Sequence, residues 1–208
     1  ICEDMWYPDV AETLQESGAE LLIVINGSPF DQNKEDERLS VAVARVVETN
    51  LPLIYVNQIG GQDELVFDGG SFALDSRAKL KLQSSAWKEE INHIEITNNN
   101  NGLLDLSHSV VNKISVGLES KYSAMVLGLR DYVNKNKFKG VILGLSGGID
   151  SALAVAIAVD ALGKDKVRGI RMPSKYSSEG SLKDAEESGK LLNIKVDTIN
   201  IEEINKSY

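Results

Sequence analysis

Two serines, two glycines and an aspartate are gathered at one turn of the chain, in Val141-Ile142-Leu143-Gly144-Leu145-Ser146-Gly147-Gly148-Ile149-Asp150-Ser151. An apolar run leads into them and an apolar helix pattern leads out, so they lie where a strand turns into a helix. Glycine there permits positive φ and lets a ligand approach the backbone closely. Such a turn aims free N–H groups at one spot, at the positive end of a helix dipole. Ser146 and Ser151 add hydroxyl donors, and a polyphosphate suits this cradle. Asp150 would repel phosphate directly, so its expected task is to hold a Mg²⁺ that the phosphates share. The spacing is not that of G-x-x-x-x-G-K-[ST], and no lysine is present.

The second reactive group is Cys2, the one cysteine of the chain. By residue type alone it reads equally well as a nucleophile or as a buried structural thiol. No internal disulfide or cysteine-based zinc cluster is available to it.

The elements that must carry these groups alternate. Residues 8–17 read as a helix with proline in its first turn and Gly18 as its stop. Residues 21–25 and 53–56 read as buried strands. Between them 35–49 reads as a helix with Leu39, Ala42, Val43, Val46 and Val47 on one face. From Asn57 the texture changes: short antiparallel strands are expected at 65–67, 71–74 and 79–83, separated by glycine-rich turns. Residues 84–110 are polar, and Thr97-Asn98-Asn99-Asn100-Asn101-Gly102 is low in complexity. This predicts two domains, 1–97 and 113–208, with 98–112 as linker. In the second, a helix starts near Glu119, and strands are expected at 141–145, 167–172 and 194–199. Between the strands, helix 152–162 is apolar on nearly all sides and 181–192 turns Leu182, Ala185, Leu191 and Leu192 inward. Strand, helix, strand, helix, strand implies a parallel sheet with right-handed crossovers.

The 208 residues are 42% hydrophobic and 25% charged, ordinary for a globular chain. A net charge of −9 argues against bulk binding to nucleic acid. No apolar run reaches the roughly 18 residues of a membrane span. The lone thiol suits a reducing, cytoplasmic setting. The chain opens at Ile1 rather than Met and is expected to be an internal piece of a longer protein, cut at both ends.

The loop Ser146-Gly147-Gly148-Ile149-Asp150-Ser151 resembles that of the ATP-pyrophosphatase superfamily, whose members cleave ATP between the α and β phosphates to form an adenylate. Flanking it are Leu127-Gly128-Leu129-Arg130-Asp131-Tyr132-Val133, Phe138-Lys139-Gly140 and Met172-Pro173-Ser174-Lys175-Tyr176-Ser177-Ser178. These resemble NAD⁺ synthetases over residues 119–204. The resemblance implies ATP binding by Gly144, Leu145, Ser146, Gly147, Gly148, Ile149, Asp150, Ser151 and Met172, with Mg²⁺ at Asp150. It puts Met172 near adenine and the Tyr-Ser-Ser stretch over the nucleotide. Without that context Met172 reads as a core methionine, and Ser177 and Ser178 as caps of the following helix.

Cys2-Glu3-Asp4-Met5-Trp6 resembles the nucleophile segment of the nitrilase, or carbon–nitrogen hydrolase, family. Asn26-Gly27-Ser28-Pro29-Phe30, Lys34 and residues 57–71 fit the same family. The resemblance implies Cys2 as nucleophile toward glutamine, the Glu3 N–H as oxyanion donor, and Ser28 and Lys34 as glutamine ligands. Taken alone, Lys34 reads as a solvated lysine at a helix start. In this family the Glu base and the Lys of the triad precede the Cys, so they are expected upstream of Ile1. Nicotinate ligands and further ATP ligands are expected beyond Tyr208.

A nitrilase-type glutaminase joined to a Ser-Gly-Gly synthetase resembles the glutamine-dependent NAD⁺ synthetases. The implied fold is α/β: the C-terminal part of a nitrilase-like α-β-β-α sandwich, then the N-terminal part of a Rossmann-like parallel-sheet adenine-nucleotide-binding domain. The implied substrates are glutamine, ATP and deamido-NAD⁺, in a homo-oligomer without nucleic acid or membrane. Two other readings stay open: another ATP-pyrophosphatase ligase, or a fragment that binds nucleotide without catalysis.

Overall fold

The computed structural model describes residues 1–98, 104–173 and 177–201. The chain divides into two compact units, Ile1–Ala124 and Met125–Tyr208.

In the first unit, a 3₁₀ turn, Cys2–Trp6, leads into helix α1 (Pro8–Glu16), strand β1 (Leu22–Asn26), helix α2 (Lys34–Thr49) and strand β2 (Leu53–Asn57). Strands β3 (Ile59–Gln62), β4 (Leu65–Asp68), β5 (Phe72–Leu74) and β6 (Leu80–Gln83) follow. One sheet has the order β1-β2-β5-β6, with β1 and β2 parallel and the rest antiparallel. Its inner face, with Leu22, Val24, Leu53, Tyr55, Phe72 and Leu74, packs on Ala11, Ala42 and Val46 of the helices. Tyr55 and Phe72 are register partners and stack at 4.8 Å.

The α2 stripe is rotated from the expected one. Arg38, Ala42, Arg45, Val46 and Thr49 are the buried positions, whereas Val47 is 64% exposed. Two arginines lie among these buried positions: Arg38 meets the buried Asp68, and Arg45 reaches out to Glu48 one turn on.

Strand β3 was not expected, because Gly60 and Gly61 read as turn formers. It pairs antiparallel with β4, and the reversal falls at Asp63 (φ 51°). The stretch read as linker, 98–112, also carries structure, with residues 99–103 outside the described ones. Strand β7 (Ile96–Asn98) pairs with β8 (Leu104–Leu106), and Leu106 is buried against Ala73 and Leu82. Gln83 donates its N–H to Val110 O and accepts from Asn112 N, which ties the rest of the stretch to the β6 edge.

The units divide within helix α3 (Leu118–Lys135). Strand β9 (Val141–Gly144), helix α4 (Ile149–Leu162), strand β10 (Val167–Arg171), helix α5 (Glu179–Leu191) and strand β11 (Lys195–Thr198) complete the second unit. Its sheet is parallel, in the order β11-β10-β9, as the alternation predicts. Leu145, Val155, Ala158, Val167 and Ala185 form its core. Helix α4 is less covered than its composition predicts. It buries Val155, Ile157, Ala158 and Ala161 but leaves Ile149 79% and Leu153 46% exposed, because it packs on β9 and β10 along one face. In α5, Leu191 points outward at 86% exposure, and Ala185 and Gly189 take the inner face. No helix among the described residues is long and apolar enough to cross a membrane.

Candidate functional site

Strands β9 and β10 are parallel neighbours, and both point their carboxyl ends at the same crevice. In an open parallel sheet this is where ligands bind. Leu145 is fixed there by its N–H donating to Ile170 O at 2.8 Å. The next residues form a self-bonded loop. Ser146 N–H donates to Ser151 Oγ (3.3 Å), Gly148 N–H to Ser146 Oγ (3.2 Å), and the Ser151 hydroxyl to Gly148 O (2.9 Å). The two hydroxyl oxygens are 3.1 Å apart. With the Ser151 proton on Gly148 O, the Ser146 hydroxyl is the donor of that pair. The first intrahelical bond of α4 runs from Ala152 N–H to Gly148 O, 3.1 Å. The N–H groups of Ile149, Asp150 and Ser151 are thus left for a ligand at the positive end of the helix.

Gly147 takes φ +83°, a conformation that L side chains rarely adopt. It also touches the next helix: a Cβ at this position would lie 2.2 Å from Ser181 O. The loop is therefore pressed against the start of α5. There Ser178 is the N-cap, its hydroxyl accepting from Ser181 N–H at 3.1 Å and lying 2.8 Å from Ser181 Oγ. The cap reading of Ser178 holds, and it joins rather than replaces a place at the crevice.

A cleft of about 460 Å³ lies between Gly144, Leu145, Ser146 and Met172 on one side and Ser177, Ser178, Ser181 and Leu182 on the other. Its size suits a small organic ligand. Met172, 49% exposed, is a wall of this cleft rather than a core residue. Ser174, Lys175 and Tyr176 lie outside the described residues. Asp150 sits in the first turn of α4, and the hydroxyls of Ser146 and Ser151 meet at the same end of that helix. These are hard oxygen donors, a set that fits Mg²⁺ shared with phosphate. Ser178→Ala should cost about 1 kcal/mol through loss of the cap. A lower thermal midpoint of the second unit, and looser amide exchange at the start of α5, would register it.

In the first unit Cys2 takes φ 53° at the head of its 3₁₀ turn and is half-buried. A non-glycine residue in the left-handed region stores strain, a feature of residues held out for chemistry. Trp6, at the end of the same turn, lies under the Lys34 ammonium, 4.4 Å from Nζ to ring centroid. Lys34 also pairs with Glu37 at 3.3 Å. Glu35 is pushed above the usual carboxylate range, first by burial and then by Asp36 and Asp68, against the pull of Arg38. Burial likewise pushes the Tyr55 phenol up, and the Cys2 thiol nearby adds to the shift.

Ser28 is 6% exposed, and its hydroxyl oxygen accepts from Arg38 Nε at 3.0 Å. Ser28 N–H donates to Asn57 Oδ1 at 3.0 Å, and Asn57 Nδ2 donates to Ser28 O at 3.1 Å. The structure thus brings Lys34 onto Trp6, in the turn that Cys2 opens. It also adds Arg38, Tyr55, Asn57 and Asp68, to which the sequence reading gave no role of their own. Arg38 lies outside the apolar stripe read for its helix, and Asp68 hides in an Asp-Gly-Gly turn pattern. The available signal was an amide and a carboxylate at the carboxyl ends of two apolar strands, β2 and β4.

Comparison with known proteins agrees with both parts. Residues 1–101 match the carbon–nitrogen hydrolase family and residues 121–208 the NAD synthase family. A glutamine-dependent NAD(+) synthetase of Rhodobacter capsulatus is 46% identical over 204 residues, covering 97% of this chain and 36% of that one. That of Aquifex aeolicus is 40% identical, covering all of this chain and 42% of its own. The solved glutamine-dependent NAD⁺ synthetase of Acinetobacter baumannii, a complex with adenosine diphosphate, aligns with a TM-score of 0.92 at 35% identity. It covers 99% of this chain and 39% of its own. The chain therefore spans about two fifths of the length of such relatives. A carbon–nitrogen hydrolase portion followed by an NAD synthase portion is what this chain shares with the glutamine-dependent NAD⁺ synthetases, which match it over nearly its whole length.

Proposed function

We propose that the full-length protein converts deamido-NAD⁺ to NAD⁺ with ATP and glutamine, in the cytoplasm. In this reading 1–97 belongs to the glutaminase and 113–208 to the synthetase. The observation that carries it is the Ser146–Ser151 loop, with its unspent helix N–H groups, on a cleft at the ends of two parallel strands. The Cys2 turn on the same chain supports the glutamine half.

The Cys2 thiolate adds to the side-chain carbonyl of glutamine, and the Glu3 N–H steadies the oxyanion. Ammonia leaves, and the thioester carbon stays on sulfur until water releases glutamate. Ser28 and Lys34 hold the glutamine. In the second unit the cradle, Gly144 to Ser151, holds the phosphates and Met172 lies by the adenine. The nicotinate carboxylate of deamido-NAD⁺ attacks the α-phosphorus; its new P–O bond replaces the bond to pyrophosphate. Ammonia attacks the resulting acyl adenylate, and AMP departs with the electron pair of the broken C–O bond. Activation is required because an ionised carboxylate is a poor acyl donor. Asp150, with the Ser146 and Ser151 hydroxyls, would hold Mg²⁺, which when bound neutralises phosphate charge.

Purified full-length protein given deamido-NAD⁺, Mg·ATP and glutamine should yield NAD⁺, AMP and pyrophosphate in equal amounts. AMP without NAD⁺ would point to another ATP-pyrophosphatase ligase. Asp150→Ala should weaken Mg·ATP binding at least tenfold, about 1.4 kcal/mol. Equal affinity of variant and wild type, measured by calorimetry, would remove Asp150 from the metal site.

A further inference from the structure

The first unit contains a buried polar network whose charged members, Arg38 and Asp68, the chemistry above leaves unused. Arg38 is 3% exposed and Asp68 6%. Every guanidinium nitrogen of Arg38 is committed. Nη1 donates to both Asp68 oxygens, at 2.9 and 2.8 Å. Nε donates to Ser28 Oγ at 3.0 Å, and Nη2 to Ser28 O and Pro29 O, each at 2.8 Å. Asn57 closes the far side, with Nδ2 on Ser28 O and Gly69 O and Oδ1 on Ser28 N–H. Ser28 is therefore fixed at its nitrogen, its carbonyl and its hydroxyl.

The hydroxyl contact has a chemical consequence. A guanidinium donates and never accepts. With Arg38 Nε on one lone pair, the Ser28 proton must point to a different acceptor. A buried ion pair is weak as a source of stability, because desolvation offsets the attraction. What a fully committed fork supplies is geometry.

We propose that Arg38, held by Asp68, is a positioning residue for glutamine: it locks the Ser28–Pro29 turn and the direction of the Ser28 hydroxyl, and thereby sets glutamine affinity. The inference rests on the reading of Ser28 as a glutamine ligand.

The test uses the full-length protein, with NAD⁺ synthesis driven either by glutamine or by ammonium. In Arg38→Lys the charge opposite Asp68 remains but the fork onto Ser28 is lost. The KM for glutamine should rise by about tenfold or more, as loss of alignment predicts, and the ammonium-driven rate should stay at the wild-type value. The double variant Arg38→Met/Asp68→Leu removes both charges and leaves neither unpaired. It should keep a near-wild-type thermal midpoint and still show the raised KM. A wild-type KM in either folded variant overturns the proposal. So does an equal loss of both activities, which marks a purely structural role. If the wild type itself uses ammonium but not glutamine, the glutaminase reading fails, and that failure is seen before any variant is compared.

Discussion

Replacing Cys2 with alanine in the full-length protein should abolish glutamine-driven NAD⁺ synthesis and leave ammonium-driven synthesis at its wild-type rate. The thiolate is the atom that takes the acyl group from glutamine, and alanine offers no nucleophile in its place. Losing a covalent nucleophile typically removes several orders of magnitude of rate. The Cys2 turn lies in the unit Ile1–Ala124, whereas the phosphate loop lies in Met125–Tyr208. The damage should therefore stop at the ammonia supply. Cys2 also holds φ 53°, which alanine tolerates no better, so the backbone demand is unchanged by the substitution. A glutamine-driven rate within twofold of wild type, measured as NAD⁺ formed, would remove Cys2 from the chemistry. A parallel fall in the ammonium-driven rate would mean that the variant disturbs more than the thiol.

The second large effect is expected at Gly147. An added Cβ would sit 2.2 Å from Ser181 O, 2.8 Å from Ser181 C and 2.8 Å from Ser181 Cα. These are backbone atoms, so no side chain can swing aside. Either the loop or the first turn of α5 must move, and the loop's N–H groups then lose their common aim. Misplacement by about 1 Å costs on the order of 10²-fold in reactions that depend on alignment. Gly147→Ala should weaken ATP binding on that scale and reduce both ammonium-driven and glutamine-driven synthesis. Gly163 is the control. Its φ is +82° but nothing lies within 4 Å of a built Cβ. Gly163→Ala should lower the thermal midpoint through backbone strain and leave ATP affinity near wild type. Equal ATP affinity in Gly147→Ala and wild type would contradict the contact-based account of the loop.

The elements that carry the loop were legible because each local preference agreed with the fold. Val141–Gly144 is a short apolar run, two glycines follow, and Ile149–Leu162 is a helix ended by Gly163. What sequence reading missed depends on contacts between distant segments. Ser181 against Gly147 is one such contact: neither residue announces it, and only the return of α5 to the strand ends creates it. Arg38 on Ser28 and Asp68 is another, a charge drawn inward because a carboxylate meets it there. The hairpin Ile96–Asn98 with Leu104–Leu106 was hidden for a different reason. Its polar composition masks one anchoring side chain, Leu106, buried against Ala73 and Leu82. Gly60 and Gly61 read as a turn but pair as strand residues with Phe67 and Val66, since an antiparallel ladder uses backbone rather than side chains.

The most direct test of the whole account follows nitrogen. Full-length protein is supplied with deamido-NAD⁺, Mg·ATP and glutamine carrying ¹⁵N in its side-chain amide, and the products are read by mass spectrometry. The account predicts ¹⁵N in the carboxamide of NAD⁺, with one AMP formed for each NAD⁺. Unlabelled NAD⁺, or ADP in place of AMP, would contradict it.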